Sequence, residues 1–217
     1  MSAPQKATIQ EVAAASKPYL RPTLIRYGSV AKLTVVPMKG WHRDEFFDQT
    51  GVKWVNPSPN LRNVEEATLY PGLGMIEGTN VSVGRGTDTP FEVVGAPWIE
   101  AAALAQYLNA RELDGVRFVP VRFTPHSSEY AGEACGGVNV VVTERNALDA
   151  PEMGLEIAAA LLKLYPNQYK PASLDTLMVS KASLDALVGG EDPRRIAEDW
   201  QDADEQFMLI RAKYLIY

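Results

Sequence analysis

The stretch Tyr70-Pro71-Gly72-Leu73-Gly74-Met75-Ile76-Glu77-Gly78-Thr79-Asn80-Val81-Ser82-Val83-Gly84-Arg85-Gly86-Thr87-Asp88-Thr89-Pro90-Phe91-Glu92 divides this chain. It reads as too polar for a core and too rich in glycine for a regular element. Gly78, Gly84 and Gly86 give the backbone access to positive φ and to close approach of a ligand. A loop of this density predicts a binding or catalytic role. The alternative is an Ω-loop packed by its own side chains. Upstream, Thr8 to Ser16 has a helical composition with Thr8 as N-cap and Glu11 at the capping-box offset. Leu33 to Met38 reads as a short buried strand, Asn56-Pro57-Ser58-Pro59-Asn60 as irregular, and Asn63 as the cap of a short helix through Leu69. Downstream, Phe91 to Gly95 is a strand or extended edge, and a helix starts at Pro97 and runs to about Arg111. Val116 to Phe123 alternates as a strand, placed at a sheet edge by Pro120, and Gly137 to Thr143 is a second strand. Pro151 to Tyr165 is a helix with proline in its first turn, burying Leu155, Ala158, Leu162 and Tyr165. Ser173 to Met178 and Ser180 to Val188 are short helices. Asp192-Pro193 opens a last helix with the apolar stripe Ile196, Trp200, Ala203, Phe207, Ile210 and Tyr214. The expected class is α+β (mixed α/β): a small sheet packed by helices, long ordered loops in the first half and a helical tail.

The 217 residues suffice for a sizeable core, and the net charge of -6 disfavours a nucleic-acid partner, which requires a basic face. No apolar run approaches the ~18 residues of a membrane span, and Met1 to Ser16 lacks the charge and apolar pattern of a signal peptide. The single cysteine, Cys135, excludes an internal disulfide framework and a thiolate-rich zinc site. His42 and His126 show no metal spacing. No nucleophile-elbow, Walker or dinucleotide glycine pattern occurs.

Several ordered motifs together point to a family. They are Leu33 to Trp41, Trp54 to Asn60, Tyr70-Pro71-Gly72, Glu77 to Ser82, Gly84 to Thr87, Pro90-Phe91-Glu92 and Gly95 to Ile99. Phe123-Thr124-Pro125, Tyr130 to Cys135 and Gly137-Val138 follow in order. The set resembles the exo-β-N-acetylmuramidases, peptidoglycan glycosidases long catalogued as a domain of unknown function. The resemblance implies hydrolytic removal of terminal β-N-acetylmuramic acid from the non-reducing end of cell-wall fragments, with no metal or organic cofactor. It implies a cleft between an N-terminal Rossmann-like domain and a C-terminal α/β domain, and a substrate met in the periplasm or outside the cell. The chain resembles the C-terminal part. Residues 1–30 read as a poorly matched extension or remnant, and 31–217 as one α/β domain. The domain that carries the family's favoured catalytic glutamate finds no counterpart in this reading. The expected partners are muramyl sugars and a Rossmann-like domain, and an apolar face left open by an absent domain is compatible with a dimer. The alternatives are a non-catalytic muramyl-sugar binding module and an interaction module that completes a split enzyme.

Glycoside hydrolysis usually takes two carboxyl groups, about 5 Å apart for retention and about 6.5–9.5 Å for inversion. Glu77 is the first catalytic candidate; Glu77 and Glu92 flank the loop, with Asp88 inside it and Glu133 beyond, and Glu92 and Glu133 are expected among the substrate-binding residues. The alternative for these carboxylates is capping of turn amides. Arg85 suits the lactyl carboxylate of muramic acid, since a guanidinium grips a carboxylate with two parallel bonds. Its alternative is an ion pair with Asp88 or Glu92. Asn80, Ser82 and Thr87 suit sugar hydroxyls and the acetamido group, or equally Asx- and ST-turns. Trp98, like Trp41 and Trp54, has a face for a pyranose ring, although such residues are more often core. Trp200 is core by its stripe. His126 stands at a strand end, and Cys135 reads as a buried, inert thiol.

Overall fold

The computed structural model describes residues 36, 39–40 and 42–215. The expected Thr8–Ser16 helix, most of the strand from Leu33, and Trp41 lie outside them. The chain divides after Met38, and every regular element among the described residues lies in Lys39–Tyr217.

Asn63 opens α1 (Val64–Ile76) by accepting the Glu66 N–H at 2.7 Å, the cap expected of it. The helix does not stop at Leu69. It runs through Pro71, Gly72 and Gly74, so the first third of the quoted stretch is helix and not loop. Leu69, Leu73 and Ile76, at helical spacing, are fully buried and supply the face that drives it. Pro71 lies on the exposed side, where a lost backbone donor is tolerated because water replaces it. Gly72 faces α3 (Ala150–Leu164) so closely that a Cβ would lie 2.0 Å from the Ala150 carbonyl oxygen. Gly154 of α3 meets the Gly72 carbonyl in turn, at 2.5 Å from a virtual Cβ. The two helices therefore touch backbone to backbone.

Asp149 caps α3 through the Glu152 N–H at 2.9 Å, with Pro151 in the first turn. Its residues Met153 to Ala158 are all buried, so this is the central helix of the core. The sheet holds β1 (Val93–Ala96), β2 (Val116–Phe123) and β3 (Cys135–Val142) in the antiparallel order β1-β3-β2. Val94 pairs with Val138, and Val119 with Asn139. Pro120 sits in edge strand β2, the placement its missing N–H requires. Helix α2 (Ala101–Asn109) packs on β2 and β3, α3 on α2, and α1 on α3. The α2 start falls later than expected because Glu100, not Pro97, is the cap: its carboxylate accepts the Ala102 and Ala103 N–H groups at 3.3 and 2.7 Å. The α+β class is as expected.

The tail comprises α4 (Leu174–Met178), α5 (Lys181–Val188), α6 (Pro193–Glu198) and α7 (Gln201–Arg211). Arg111, at the end of α2, grips both oxygens of buried Glu156 on α3 at 2.8–3.1 Å and both oxygens of Asp192, the α6 cap, at 2.7 and 2.9 Å. The expected single last helix is thus two. It breaks at Asp199-Trp200, so Ile196 is buried and Trp200 packs on the core with its Nε1–H on Ser183 Oγ at 2.9 Å. Ala203, Phe207, Ile210 and Tyr214 stay exposed, so the stripe is core only over its first turn.

The helix crossing makes opposite forecasts for two neighbouring glycines. Gly72→Ala forces a methyl into the Ala150 carbonyl and should lower stability by about 1–3 kcal/mol. A Cβ on Gly74 meets only the Tyr70 ring at an ordinary 3.4 Å, so Gly74→Ala should add up to about 1 kcal/mol of helix propensity. Urea unfolding of both variants checks this. Equal effects of the two substitutions would contradict the contact.

Candidate functional site

The segment from Glu77 to Glu92 is closed like a hairpin. Ser82 and Gly95 exchange backbone hydrogen bonds at 2.8 and 2.9 Å, and the Phe91 N–H donates to the Val83 carbonyl at 2.8 Å. Val81, Val83 and Phe91 are buried, so the stretch contributes to the core it was read as too polar to join. Gly84 and Gly86 have φ of 80° and 79°. A Cβ on Gly86 would lie 2.4 Å from the Ser127 carbonyl oxygen, and the Gly86 carbonyl accepts the His126 N–H at 2.8 Å. Gly86 is needed for packing against the 126–132 turn and Gly84 for approach to the Thr89 carbonyl, 2.6 Å from a virtual Cβ, and both for their own dihedrals.

Asn80 clasps the segment after α3. Its Nδ2 donates to the Gln168 carbonyl at 2.9 Å and its Oδ1 accepts the Lys170 N–H at 2.7 Å. The Asn80 carbonyl accepts the Tyr130 hydroxyl at 2.9 Å, and Tyr130 accepts the Trp98 Nε1–H at 3.1 Å. Trp98 also meets the Tyr165 ring edge-on at 5.4 Å. Ser82 is buried, and its Oγ accepts the Gly84 N–H at 3.2 Å. Thr87 Oγ1 donates to the Gly84 carbonyl at 2.6 Å and accepts the Thr89 N–H at 3.1 Å. The hydroxyls of Ser82 and Thr87 thus bond within the loop, the turn-bonding alternative of the sequence reading, whereas the Asn80 amide is engaged not in an Asx-turn but by backbone groups 88 and 90 residues away. Trp54 likewise bonds the Leu61 carbonyl and meets the Phe47 ring.

Arg85 and Glu77 form an ion pair with each other, with Arg85 Nε donating to Glu77 Oε1. Neither Asp88 nor Glu92 is the partner. The side chains are 31% and 26% exposed, so the pair lies at the loop rim. The guanidinium carbon stands 5.0 Å from the Phe91 ring centroid, and Tyr70 meets that ring edge-on at 4.9 Å. The two Nη groups of Arg85 have no hydrogen-bond partner among the described residues. Phe91 and Tyr130 hold positive φ, 60° and 59°. Such strain in bulky side chains persists only where the surroundings fix it, and it concentrates at functional sites.

Glu92 stands apart from that pair. Its Oε1 accepts the Asn63 Nδ2–H at 3.2 Å. Burial holds its carboxyl above the ordinary range; the Asn63 bond opposes this, and the charges of Glu66 and Glu65 add to it. Glu66 was not singled out in the sequence, yet its side chain is 1% exposed. Its Oε2 accepts the Arg62 N–H, while its Oε1 has no hydrogen bond. The capping-box spacing Asn63…Glu66 was the signal that could have found it. Glu133 is exposed in the turn carrying Tyr130, its N–H donating to the Tyr130 carbonyl at 2.9 Å. His126 is exposed, and Cys135 is buried with its thiol pushed up to about 11 by desolvation. The structure therefore joins Glu77 with Arg85, Asn80 with Trp98 through Tyr130, and Glu92 with Asn63 and Glu66. No cluster of metal-binding side chains occurs among the described residues.

The fold is that of the DUF1343 proteins. One from Bacteroides fragilis NCTC 9343 matches with a TM-score of 0.67 at 27% identity, over 82% of this chain and 49% of that one. A second from the same organism matches with a TM-score of 0.52 at 27% identity, over 75% and 43%. The chain belongs to the exo-β-N-acetylmuramidase NamZ family: the C-terminal domain profile of that family matches residues 68–217 and the N-terminal profile residues 7–65. The peptidoglycan β-N-acetylmuramidase NamZ of Bacillus subtilis (strain 168) is 40% identical over 197 residues, 86% of this chain and 46% of that protein. The chain spans about half the length of the relatives it matches. The two profile matches meet between residues 65 and 68, at the start of α1, so residues within 1–30 also carry family likeness, to the N-terminal profile.

Because the Glu92 pKa is raised, the protonated carboxyl is the form the fold prefers. Its stabilising effect is full below the ordinary value of 4.5 and is lost as pH rises through the raised value. Glu92→Gln removes that titration and keeps an acceptor for Asn63. The variant should match the parent in stability at pH 3.5 and exceed it at pH 7, as read from urea midpoints. The reverse order would refute the assignment.

Proposed function

We propose that this chain serves the hydrolysis of terminal β-N-acetylmuramic acid from the non-reducing end of peptidoglycan fragments, with the Glu77–Glu92 loop as one wall of the sugar site. One observation supports this above the others: Arg85 is held at the loop rim by Glu77 and Phe91 while both its Nη groups remain unengaged among the described residues. A pre-oriented guanidinium with a free edge fits the lactyl carboxylate that distinguishes muramic acid from N-acetylglucosamine. In this reading Glu77 is a positioning residue that sets the Arg85 plane. Trp98, just after β1 and bonded to the Tyr130 hydroxyl, and Glu133, in the turn that carries Tyr130, would border the ligand. Glu92 is the described carboxyl suited to proton donation, because burial lets it hold its proton to higher pH than an ordinary glutamate. The second carboxyl that glycoside cleavage requires is assigned to a Rossmann-like half of the kind the family pairs with this domain.

A muramyl-sugar binding module without turnover is the second reading, favoured by the internal engagement of Asn80, Ser82 and Thr87. A chromogenic β-N-acetylmuramide incubated with the chain, alone and mixed with the N-terminal half of the Bacillus subtilis relative, separates the two. Turnover in either mixture supports the hydrolase, and binding without turnover supports the module. Both readings require Arg85→Ala to weaken muramic acid binding by about 10- to 100-fold, the worth of a charged hydrogen bond. Binding of N-acetylglucosamine should be unchanged. Equal loss for both sugars would remove the carboxylate-recognition argument.

A further inference from the structure

Arg62 stands just before α1 and reaches across to the candidate loop. Its Nη2 donates to the Thr87 carbonyl at 2.9 Å, a bond that spans 25 residues of chain. That carbonyl has no other donor among the described residues. Thr87 closes a four-residue turn, its N–H and its Oγ1 both donating to the Gly84 carbonyl, at 3.1 and 2.6 Å. Arg85 is the second residue of that turn. Gly86 is the third, with a φ of 79° that glycine adopts without cost. With Arg85 as the muramic acid contact, the reading given above, we propose that Arg62 is a positioning residue for sugar recognition. It pins the 84–87 turn and thereby aims the Arg85 guanidinium at the lactyl carboxylate.

Arg62 is itself held by a buried group. Glu66 is 1% exposed; its Oε2 accepts the Arg62 N–H, and its Oε1 lies 3.6 Å from Arg62 Nε. No other cation pairs with Glu66 among the described residues. A buried carboxylate holds its counter-charge more firmly than a surface one, because release would strand the charge away from water. The planar guanidinium of Arg62 therefore has its Nε edge set by Glu66 and its Nη2 set by Thr87. Glu77 fixes the side chain of Arg85, and Arg62 fixes the backbone that carries it. Both constraints are needed, since an ion pair orients a side chain only as well as the backbone beneath it is held. The exposed end of Arg62 thus acts through Arg85, and its buried end explains why a carboxylate is retained inside the first turn of α1.

Arg62→Met in the full chain tests this, because it keeps the aliphatic stem and removes the donors. It should weaken N-acetylmuramic acid binding about tenfold, the coupling expected within one hydrogen-bonded network. Binding of N-acetylglucosamine should be unchanged. Added to Arg85→Ala, it should cost nothing further, since no guanidinium is then left to aim. Independently of any sugar, the Arg85 Nε–H resonance should be resolved in NMR spectra of the parent and lost to exchange in Arg62→Met. Arg62→Met combined with Glu66→Gln strands no charge and should give the same results, so a folding defect of the single variant leaves the readout intact. A loss that adds to that of Arg85→Ala overturns the proposal and makes Arg62 a direct sugar contact. Equal loss for both sugars overturns it, as does an Arg85 resonance that is absent from the parent or unchanged in the variant. A parent chain that binds no N-acetylmuramic acid refutes the proposed function instead, and the Arg85 resonance then decides whether Arg62 holds the turn.

Discussion

At the centre of this domain two helices meet through glycine. Gly72 and Gly154 each face a carbonyl of the opposite helix at a distance that no side chain permits, so α1 and α3 cross at backbone contact. That crossing requires α1 to continue through Pro71 and deliver Leu73 and Ile76 to the core. It also sets where the chain leaves α1 and where it leaves α3. The first exit begins the polar loop at Glu77. The second leads to Gln168 and Lys170, which the Asn80 amide clasps. A shift of either helix would separate Asn80 from its partners and release the loop.

The polar loop is rigid for reasons that differ from residue to residue. Ser82 extends the sheet edge through Gly95, Gly84 and Gly86 give close approach, and Tyr130 ties the Asn80 carbonyl to the Trp98 indole. Positive φ at Phe91 and Tyr130 is maintained by this surrounding network. The result is that most of the loop's polar atoms bond inward, while the Arg85 guanidinium is fixed and turned to the rim. Rigidity of that kind lowers the entropic cost of gripping a ligand.

On the other side of α3 an ion cluster has the same organising role. Glu156 is buried, and Arg111 neutralises it while reaching Asp192 at the head of α6. A buried carboxylate left without its arginine is strongly unfavourable, so α6 is tethered to α2 and α3 by charge as well as by Ile196. The break after α6 then leaves α7 without a buried residue.

Short-range signals were legible in the sequence wherever the physics is local. The cap Asn63, the helix start at Asp192-Pro193, the edge position of Pro120 and the strands around residues 116–123 and 135–142 follow from hydrogen-bonding groups and periodicity within a few residues. The ordered motifs likewise identified the family. What the sequence did not disclose depends on partners far along the chain. Gly72 and Pro71 look like helix breakers until α3 is seen to need a bare backbone opposite it. Arg85 has several carboxylates nearby in sequence, and only the closed loop selects Glu77. Glu66 resembles a surface glutamate until folding removes it from water. The stripe from Ile196 to Tyr214 is uniform in sequence, and only the turn at Trp200 decides which half is buried. Local hydrogen bonding is set by neighbours in the chain, whereas burial and ion pairing are set by neighbours in space, and those exist only once the helices have crossed.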